Sequence, residues 1–331
     1  MSEPLISVKM ITYNHAPYIV QAIEGVLRQN TNFPFELVIG EDCSTDGTRE
    51  IVFEYEKKYP DIIRVVTSEK NVGMKKNSIR TFNACRGKYI AVCEGDDYWH
   101  RPEKLQKQAD YLESHPECGL VYSSYNVYFV KEKKQIVDYF SYRKMEIPES
   151  PNIIDIIDGK GVPLTCTVMV RRNLCKEIIE LDPYLHQSDH FLMGDTQMWA
   201  EMSTRAHLHY IPETLAVHNI TEESATRSKD VKKVLRFSVS NAEVMLYLCK
   251  KYGLPQWLIN KCQIYFDESS LRLALYSRNQ ELAHAIRKKK ETFTLKEWLQ
   301  YYGAGNVIFY YIYRLSASTL NFFKERNEQW L

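Results

Sequence analysis

The sequence predicts a doubly wound α/β domain followed by a C-terminal helical region. Over roughly the first 125 residues, short apolar runs alternate with stretches whose apolar residues recur at helical spacing, as expected for strands alternating with helices. The run Tyr89 to Cys93 shows no polar alternation, which fits a strand covered on both faces of a parallel sheet. Beyond Ser228 the strand-like runs stop and long helical patterns take over.

Taken in order, Ile6 to Thr12 is the first expected strand, followed by the polar turn Tyr13-Asn14-His15. Pro17 suits a first helical position, and Ile19, Ile23, Val26 and Leu27 continue the helix. Phe35 to Ile39 is the second strand and runs towards Glu41-Asp-Cys-Ser-Thr-Asp-Gly-Thr48. Ser44 and Asp46 are candidates there to cap a helix reaching Tyr59. Ile63 to Thr67 is the third strand, and after Asn71-Val72-Gly73 a helix leads to Gly87 and the Tyr89 strand. Pro102 to Ser114 is helical, and Gly119 to Ser123 is a fifth strand. From Tyr125 to about Ser150 the pattern lapses into an excursion from the sheet. Val162 to Val170 then reads as a strand, Gly194-Asp195 precedes a helix carrying Met198, Trp199 and Met202, and Leu208 to Ile211 is a short strand. Val217 to Thr226 reads as a polar loop with His218 near its start. In the helical region, Val231, Val234, Leu235, Ser238, Ala242 and Met245 share one helix face, and Ile308, Ile312, Leu315, Thr319 and Phe323 share another. The expected division is residues 1–228 and residues 229–331.

A formal net charge of +1 gives no polyelectrolyte signal and argues against nucleic acid as a partner. The eight cysteines are scattered with no C-x-x-C pair, so they read as reduced core thiols of a cytosolic protein. No signal-like segment opens the sequence and no apolar run reaches spanning length. The expected location is cytoplasmic, with contact to the inner face of a membrane left open.

Glu94, Asp96 and Asp97 follow the Tyr89 run within four residues. That edge of an open α/β sheet is where ligands bind, and three carboxylates on one loop repel one another unless a cation lies among them. All-oxygen ligation suits Mg²⁺ or Mn²⁺, which complete their shell with substrate phosphates. A solvated acidic turn ahead of the next helix is the plain alternative. Tyr13 and Asp42, at the ends of the first two strands, are expected at the same edge.

Pro4 to Asn14, Asp42-Cys-Ser-Thr-Asp-Gly-Thr48, Asn71-Val-Gly73 and Gly87 through Trp99, in that order and spacing, resemble the nucleotide-sugar half of a family 2 glycosyltransferase of the GT-A fold. The resemblance implies a nucleotide-diphospho-sugar transferase fold with a mixed central sheet. Residues 1–125 would be the nucleotide-sugar half, and residues 126–228, where the likeness is thinner, the acceptor half. It implies that Thr12 and Tyr13 cradle the base, Tyr13 by stacking, and that Asp42 accepts a hydrogen bond from a base imide. Glu94 and Asp96 would reach the ribose, and Asp96 and Asp97 would hold the Mn²⁺ or Mg²⁺ bridging the diphosphate, either one being the main ligand. Asp195 falls where the family places its general base, with Asp182 and Asp189 as alternatives and an N-cap of the following helix as the plain reading. His218 lies in a segment resembling a loop that closes over the donor, where it would be a metal or diphosphate contact or a plain loop histidine. Cys43 departs from the usual glycine, Ser78-Ile79-Arg80 stands near the place of an Arg-Asn pair, and Gly194 replaces the first acid of an acidic pair.

The expected activity is that of a metal-dependent inverting glycosyltransferase acting on a nucleotide-sugar donor, UDP being the default carrier and dTDP and GDP open. Its acceptor would be a glycan or a lipid-linked hydroxyl, in surface polysaccharide or glycan assembly. A sugar nucleotidyltransferase is one alternative, although no glycine-rich, Arg- and Lys-bearing loop follows the first strand. A non-catalytic sugar-binding protein on the same fold is another, although three packed acids without a role cost stability. Arg287-Lys-Lys-Lys290 and the aromatic segment from Phe293 resemble a membrane-surface anchor. Packing of those helices on the catalytic domain or in a homodimer is the other reading.

Overall fold

The computed structural model describes residues 3–221, 230–290 and 292–314. The chain divides into two compact units, Met1–Asp189 with Met193–Thr221, and His190–Leu192 with Glu222–Leu331. The boundary expected at Ser228 lies outside the described residues.

In the first unit β1 (Ile6–Thr12), α1 (Ile19–Leu27), β2 (Phe35–Glu41), α2 (Thr48–Lys58), β3 (Ile63–Val66), α3 (Met74–Ala84) and β4 (Tyr89–Val92) alternate as the apolar pattern requires. Next come β5 (Tyr98–Trp99), α4 (Lys104–Ser114), β6 (Cys118–Phe129), β7 (Lys134–Ile136) and the short helices α5 (Tyr139–Tyr142) and α6 (Ile153–Asp158). The unit ends with β8 (Met169–Arg171), α7 (Arg172–Leu181), α8 (Pro183–Gln187), α9 (Asp195–Met202) and β9 (His207–Ile220). The sheet order is β3-β2-β1-β4-β8-β6-β9-β5, with β7 paired to β6. β3, β2, β1 and β4 are parallel, β8 runs antiparallel to both β4 and β6, and β6 and β9 are parallel. The sheet is therefore mixed, and the C-terminal ends of β1, β2 and β4 share one edge.

Apolar side chains on one face of β1 and β2 meet α1 and α4 in the main core, where Val8, Met10, Leu37, Ile39, Ile23, Val26, Leu105 and Leu112 are all buried. Gly25 lets α1 lie against β5, because a Cβ there would come within 2.8 Å of the Trp99 carbonyl oxygen. That close approach holds the C-terminal end of α1 against β5.

Several elements differ from the sequence expectation. The helix expected from Pro17 begins at Ile19, after a turn in which the Tyr18 and Ile19 amides both donate to the His15 carbonyl. Gly47, with φ of 99°, is the N-cap of α2, while Asp46 accepts from the Thr48 amide and Ser44 accepts from the Asn14 amide. Ser44 thus ties two loops together instead of capping the helix. The strand expected at Ser123 continues to Phe129 because its polar residues are satisfied in place: the Ser124 hydroxyl donates to Asp138, whose own amide donates to Asn126. The strand expected over Val162 to Val170 shrinks to β8, since Thr165–Thr167 form a 3₁₀ turn closed by Thr167 on the Leu164 carbonyl. The loop expected from Val217 is instead the end of β9, pairing Val217 to Ile220 with Asn126 to Phe129. Residues 222–226 of that expected loop lie outside the described residues. Pro212 and Glu213, which suggest a break in the sequence, are accommodated where the register shifts between Ser123 and Ser124.

The second unit contains α10 (Val231–Lys251), α11 (Gln256–Ser277), α12 (Gln280–Lys289) and α13 (Leu295–Gly305), with residues 307–314 also helical. Asp230 and Asn279 cap α10 and α12, and Thr294 with Glu297 forms a capping box on α13. Small residues let these helices approach, as in the buried cluster Leu271, Ala274, Ala283, Ile286 and Ala304. Leu315, Thr319 and Phe323 of the second expected helix face lie outside the described residues. The basic run is partly engaged within the unit. The Arg287 guanidinium lies 5.3 Å from the Phe293 ring and 5.1 Å from the Trp298 ring, and Lys290 pairs with Glu297. No described helix is long and apolar enough to cross a membrane.

Candidate active site

The loops after β1 and β2 are bonded to each other amide by amide. Asn14, in the left-handed region with φ of 55°, donates its backbone N–H to Ser44 Oγ at 3.0 Å and accepts the Thr45 N–H on Oδ1 at 2.9 Å. The His15 and Ala16 amides donate to Thr48 Oγ1 at 2.8 Å and Asp46 Oδ2 at 2.9 Å. Tyr13, at the head of the first loop, is 44% exposed, so its ring is open to a ligand.

Asp42 is buried and holds the loop before α3. Its Oδ1 accepts the Val72 amide and its Oδ2 the Gly73 amide, both at 2.9 Å, while its own amide donates to the Thr12 carbonyl. Arg80 approaches Asp42 Oδ1 at 3.4 Å and donates to the Glu41 carbonyl at 2.8 Å, so this cation is spent on the β2 end. Cys43 has φ of 60°, the conformation for which glycine is suited at no steric cost.

The acidic loop lies against β1. The Gly95 amide donates to the Ile11 carbonyl at 3.0 Å, and a Cβ on Gly95 would come within 2.7 Å of Thr12 Oγ1 and 3.0 Å of His15 Nδ1. Only glycine permits that approach. Thr12 Oγ1 and His15 Nδ1 are themselves buried without a partner among the described residues. Glu94 and Asp96 are half-buried, whereas Asp97 is only 2% exposed. Its two oxygens lie 2.9 and 3.1 Å from His218 Nδ1, and Oδ1 also accepts the Asn219 amide at 2.9 Å. Asn219 Nδ2 donates to the Asp96 carbonyl at 2.6 Å. β9 thus delivers two consecutive residues to the loop.

Charge accumulates here. Burial, reinforced by Asp97, Asp96 and Asp195, pushes the Glu94 carboxyl up to about 8. Burial and Asp97 likewise raise Asp96, with His15 and His218 opposing. Burial alone would lower His218, but the charge and hydrogen bond of Asp97, with Glu94 and Asp96, outweigh it and bring the imidazole up to about 9.

Asp195 is the first residue of α9, with Gly194 at the N-cap. Its Oδ1 accepts the Thr196 amide at 2.7 Å and its Oδ2 the Thr165 hydroxyl at 3.2 Å. The helix behind it is anchored by Gln197 Nε2 on the Met193 carbonyl at 2.6 Å and by a buried His186–Glu201 pair at 2.6 Å. Thr165 and Asn219 are contacts that the sequence reading did not assign. Lys9 is a third. Its Nζ donates to Ser78 Oγ at 2.7 Å; burial lowers its pKa, while Cys85, Glu94, Cys175 and Asp195 oppose that shift. The available signal was a lysine in the middle of an otherwise strand-forming run.

The structure brings Thr12, Asp42 and the acidic loop to one edge, joins His218 to Asp97, and places Asp195 within electrostatic reach of Glu94. This carboxylate set fits a hard divalent cation. Glu94 and Asp96 are destabilised as anions by burial and by Asp97, and Mg²⁺ or Mn²⁺ needs only one or two protein carboxylates alongside water and phosphate oxygens. Asp97 would share its carboxylate with His218 and Asn219. Among the described residues no three His, Cys, Asp or Glu side chains form a ready-made cage.

Comparison with known proteins places these features in a family. The chain is 33% identical over 218 residues to an uncharacterized protein of Mycobacterium tuberculosis strain H37Rv, covering 64% of this chain and 58% of the relative. It is 32% identical over 177 residues to the putative teichuronic acid biosynthesis glycosyltransferase TuaG of Bacillus subtilis, covering 53% and 66%. It therefore spans less than two thirds of either relative. Among solved structures, S. aureus TarS 1-349 in complex with UDP-GlcNAc aligns with a TM-score of 0.56 and 21% identity over 90% of this chain and 79% of that one. The mannosyltransferase PcManGT of Pyrobaculum calidifontis, in complex with GDP-Man and Mn²⁺, aligns with a TM-score of 0.56 and 14% identity over 95% and 88%. These likenesses show the GT-A fold. The model of the family described as glycosyl transferase family 2 matches residues 7–179, more than half of the sequence, and this chain belongs to that family.

Proposed function

We propose that the protein transfers one sugar, with inversion, from a nucleoside diphosphate carrier, UDP first among them, to a hydroxyl of a glycan or lipid-linked acceptor in surface polysaccharide assembly. The observation that carries this reading is the meeting of the β1, β2 and β4 loops at one sheet edge, already bonded to one another, with Asp195 held nearby. Family membership, the polysaccharide-related name of TuaG and the nucleotide sugars bound to the structural neighbours support it.

In this reading Tyr13 stacks on the base and Asp42 accepts its imide N–H, using carboxylate lone pairs left over from Val72 and Gly73. Thr12, Glu94 and Asp96 line the ribose. Asp96 and Asp97, backed by His218, would hold Mg²⁺ or Mn²⁺, which when bound neutralises charge on the departing diphosphate. Asp195 takes the proton of the attacking hydroxyl. The acceptor oxygen forms its bond to the anomeric carbon on the face away from the diphosphate, and the bond to the diphosphate oxygen breaks with its electron pair. One displacement inverts the centre without a covalent enzyme intermediate. The working location is the cytoplasm, with α12 and α13 touching the inner face of the membrane.

Thermal unfolding with UDP, dTDP and GDP, each with and without Mn²⁺, tests the donor assignment. A ligand at about a hundred times its dissociation constant adds roughly 2.7 kcal/mol, and UDP with Mn²⁺ should give the largest shift. No stabilisation by any of the three removes the reading. Release of nucleoside diphosphate, not pyrophosphate, separates it from the nucleotidyltransferase alternative.

A further inference from the structure

Thr165 opens the 3₁₀ turn that precedes β8, and that turn is held by buried bonds to two other elements. The Trp99 indole N–H, from β5 just after the acidic loop, donates to the Cys166 carbonyl at 2.8 Å. Gln108 Nε2 of α4 donates to the Thr167 carbonyl at 2.8 Å, and Thr167 Oγ1 closes the turn on the Leu164 carbonyl at 2.7 Å. Trp99, Gln108, Cys166 and Thr167 are all buried, where breaking such a bond leaves a polar group unsatisfied and is costly. The turn is therefore a fixed point beside the acidic loop. Its side chains reach two different acids: the Cys166 thiol hydrogen-bonds Asp97, and the Thr165 hydroxyl donates to Asp195 Oδ2 at 3.2 Å.

We propose that Thr165 is a positioning residue for the general base, its hydroxyl fixing the Asp195 carboxylate relative to the acidic loop; this rests on the role given to Asp195 above. The other hydrogen bonds of that carboxylate go to the Thr196 amide and hydroxyl, at 2.7 and 3.5 Å. Both groups belong to α9 and move with it. Among the described residues, the bond from Thr165 is the hydrogen bond that joins the Asp195 side chain to another element. A carboxylate offers about four lone-pair sites, and Thr165 and Asp195 are only partly buried, so lone pairs remain for an incoming hydroxyl. A reacting group misplaced by about 1 Å can cost on the order of 10²-fold in rate. Losing one tether while α9 stays anchored through Gln197 and Glu201 should cost less, about tenfold.

Steady-state UDP release from UDP-glucose, UDP-galactose and UDP-N-acetylglucosamine with Mn²⁺, water serving as acceptor, tests the proposal on the full chain. Thr165→Val keeps the side chain's shape and removes the hydroxyl. With the donor that the parent turns over fastest, its kcat should fall about tenfold or more, while the donor KM and the UDP-induced thermal shift stay at the parent values. Thr165→Ser should recover most of the loss. In an Asp195→Asn background Thr165→Val should cost nothing further, because a positioning residue acts only through the group it positions, whereas a merely structural role would lower both backgrounds alike. Thr165→Ala replaces Thr165→Val should that variant not fold, and unfolding of both shows a structural role and overturns the proposal. So does parent-like kcat in a folded Thr165→Val, no recovery in Thr165→Ser, or an added loss on top of Asp195→Asn; an impaired Asp195→Asn then still leaves Asp195 as the base. Parent-like kcat in Asp195→Asn overturns the base assignment and this proposal with it. No UDP release by the parent from any of the three donors overturns the transfer reading as well.

Discussion

Asp195 has both carboxylate oxygens in use, one on the Thr196 amide and one on the Thr165 hydroxyl, so it is aimed, not free to swing. A positioned general base contributes roughly 10²- to 10⁴-fold. Asp195→Asn is therefore expected to fold and bind UDP like the parent but to lose about 10²-fold or more in turnover. Near-normal turnover would move the role to another acid. Cys43 carries a different consequence. With φ of 60° it is a side-chain-bearing residue in the left-handed region, which costs about 1–2 kcal/mol, offset in part by the greater chain entropy of glycine. Cys43→Gly should raise stability by about 0.5–1 kcal/mol, measured by urea unfolding; an unchanged or lower midpoint would show that the thiol's contact with the Glu69 carbonyl outweighs the strain. The acidic loop and Asp42 were legible at this scale because turn residues after apolar runs mark a strand edge, whereas Asp195, at the start of a helix, was legible only through the family resemblance. Lys9 was not legible, because one polar residue in a strand reads as ordinary alternation until the facing helix is known.

Lys104 shows what it costs α4 to pack under β5. Its side chain is fully buried, with Nζ 4.2 Å from the Trp99 ring centre and bonded to Gln108 Oε1 at 2.7 Å. Burial lowers it to about 7, with Cys93 and Cys166 pulling weakly the other way. Between about pH 7 and the ordinary lysine value of 10.5 the unfolded chain holds a proton that the folded chain does not, so stability from this group rises with pH across that window and is lost as pH falls through 7. The difference in unfolding midpoint between the parent and Lys104→Met should therefore move in the parent's favour from pH 7 to 10. A pH-independent difference would mean that Lys104 titrates normally. The alternating first half of the sheet was readable from periodicity alone. β6 and β9 were not, because Ser123, Ser124 and Asn126 look like a break until their partners are known, and Pro212 disguises a strand whose irregularity is absorbed by a register shift. Local patterns carry no record of bonds made across the sheet.

For the whole chain, the proposed membrane contact rests on α12, where Lys288 and Lys289 are exposed, and on α13 and residues 307–314, where Leu295 is 78% and Ile308 65% exposed. The full chain should float with anionic vesicles and release as salt screens the lysines. Folded protein that stays at the bottom of the gradient at low salt excludes the contact. The parallel ladder between β6 and β9 bears on how the active site comes into being. Its paired residues stand about ninety positions apart in the chain, and pairing at such separations is slow because loop closure precedes any gain from contact. His218 and Asn219 reach the acidic loop only with that ladder. During refolding, or on a ribosome, the acids would exist for a time on a nearly finished sheet edge without the residues that engage Asp97, and competence to bind a donor would be among the last properties the chain acquires.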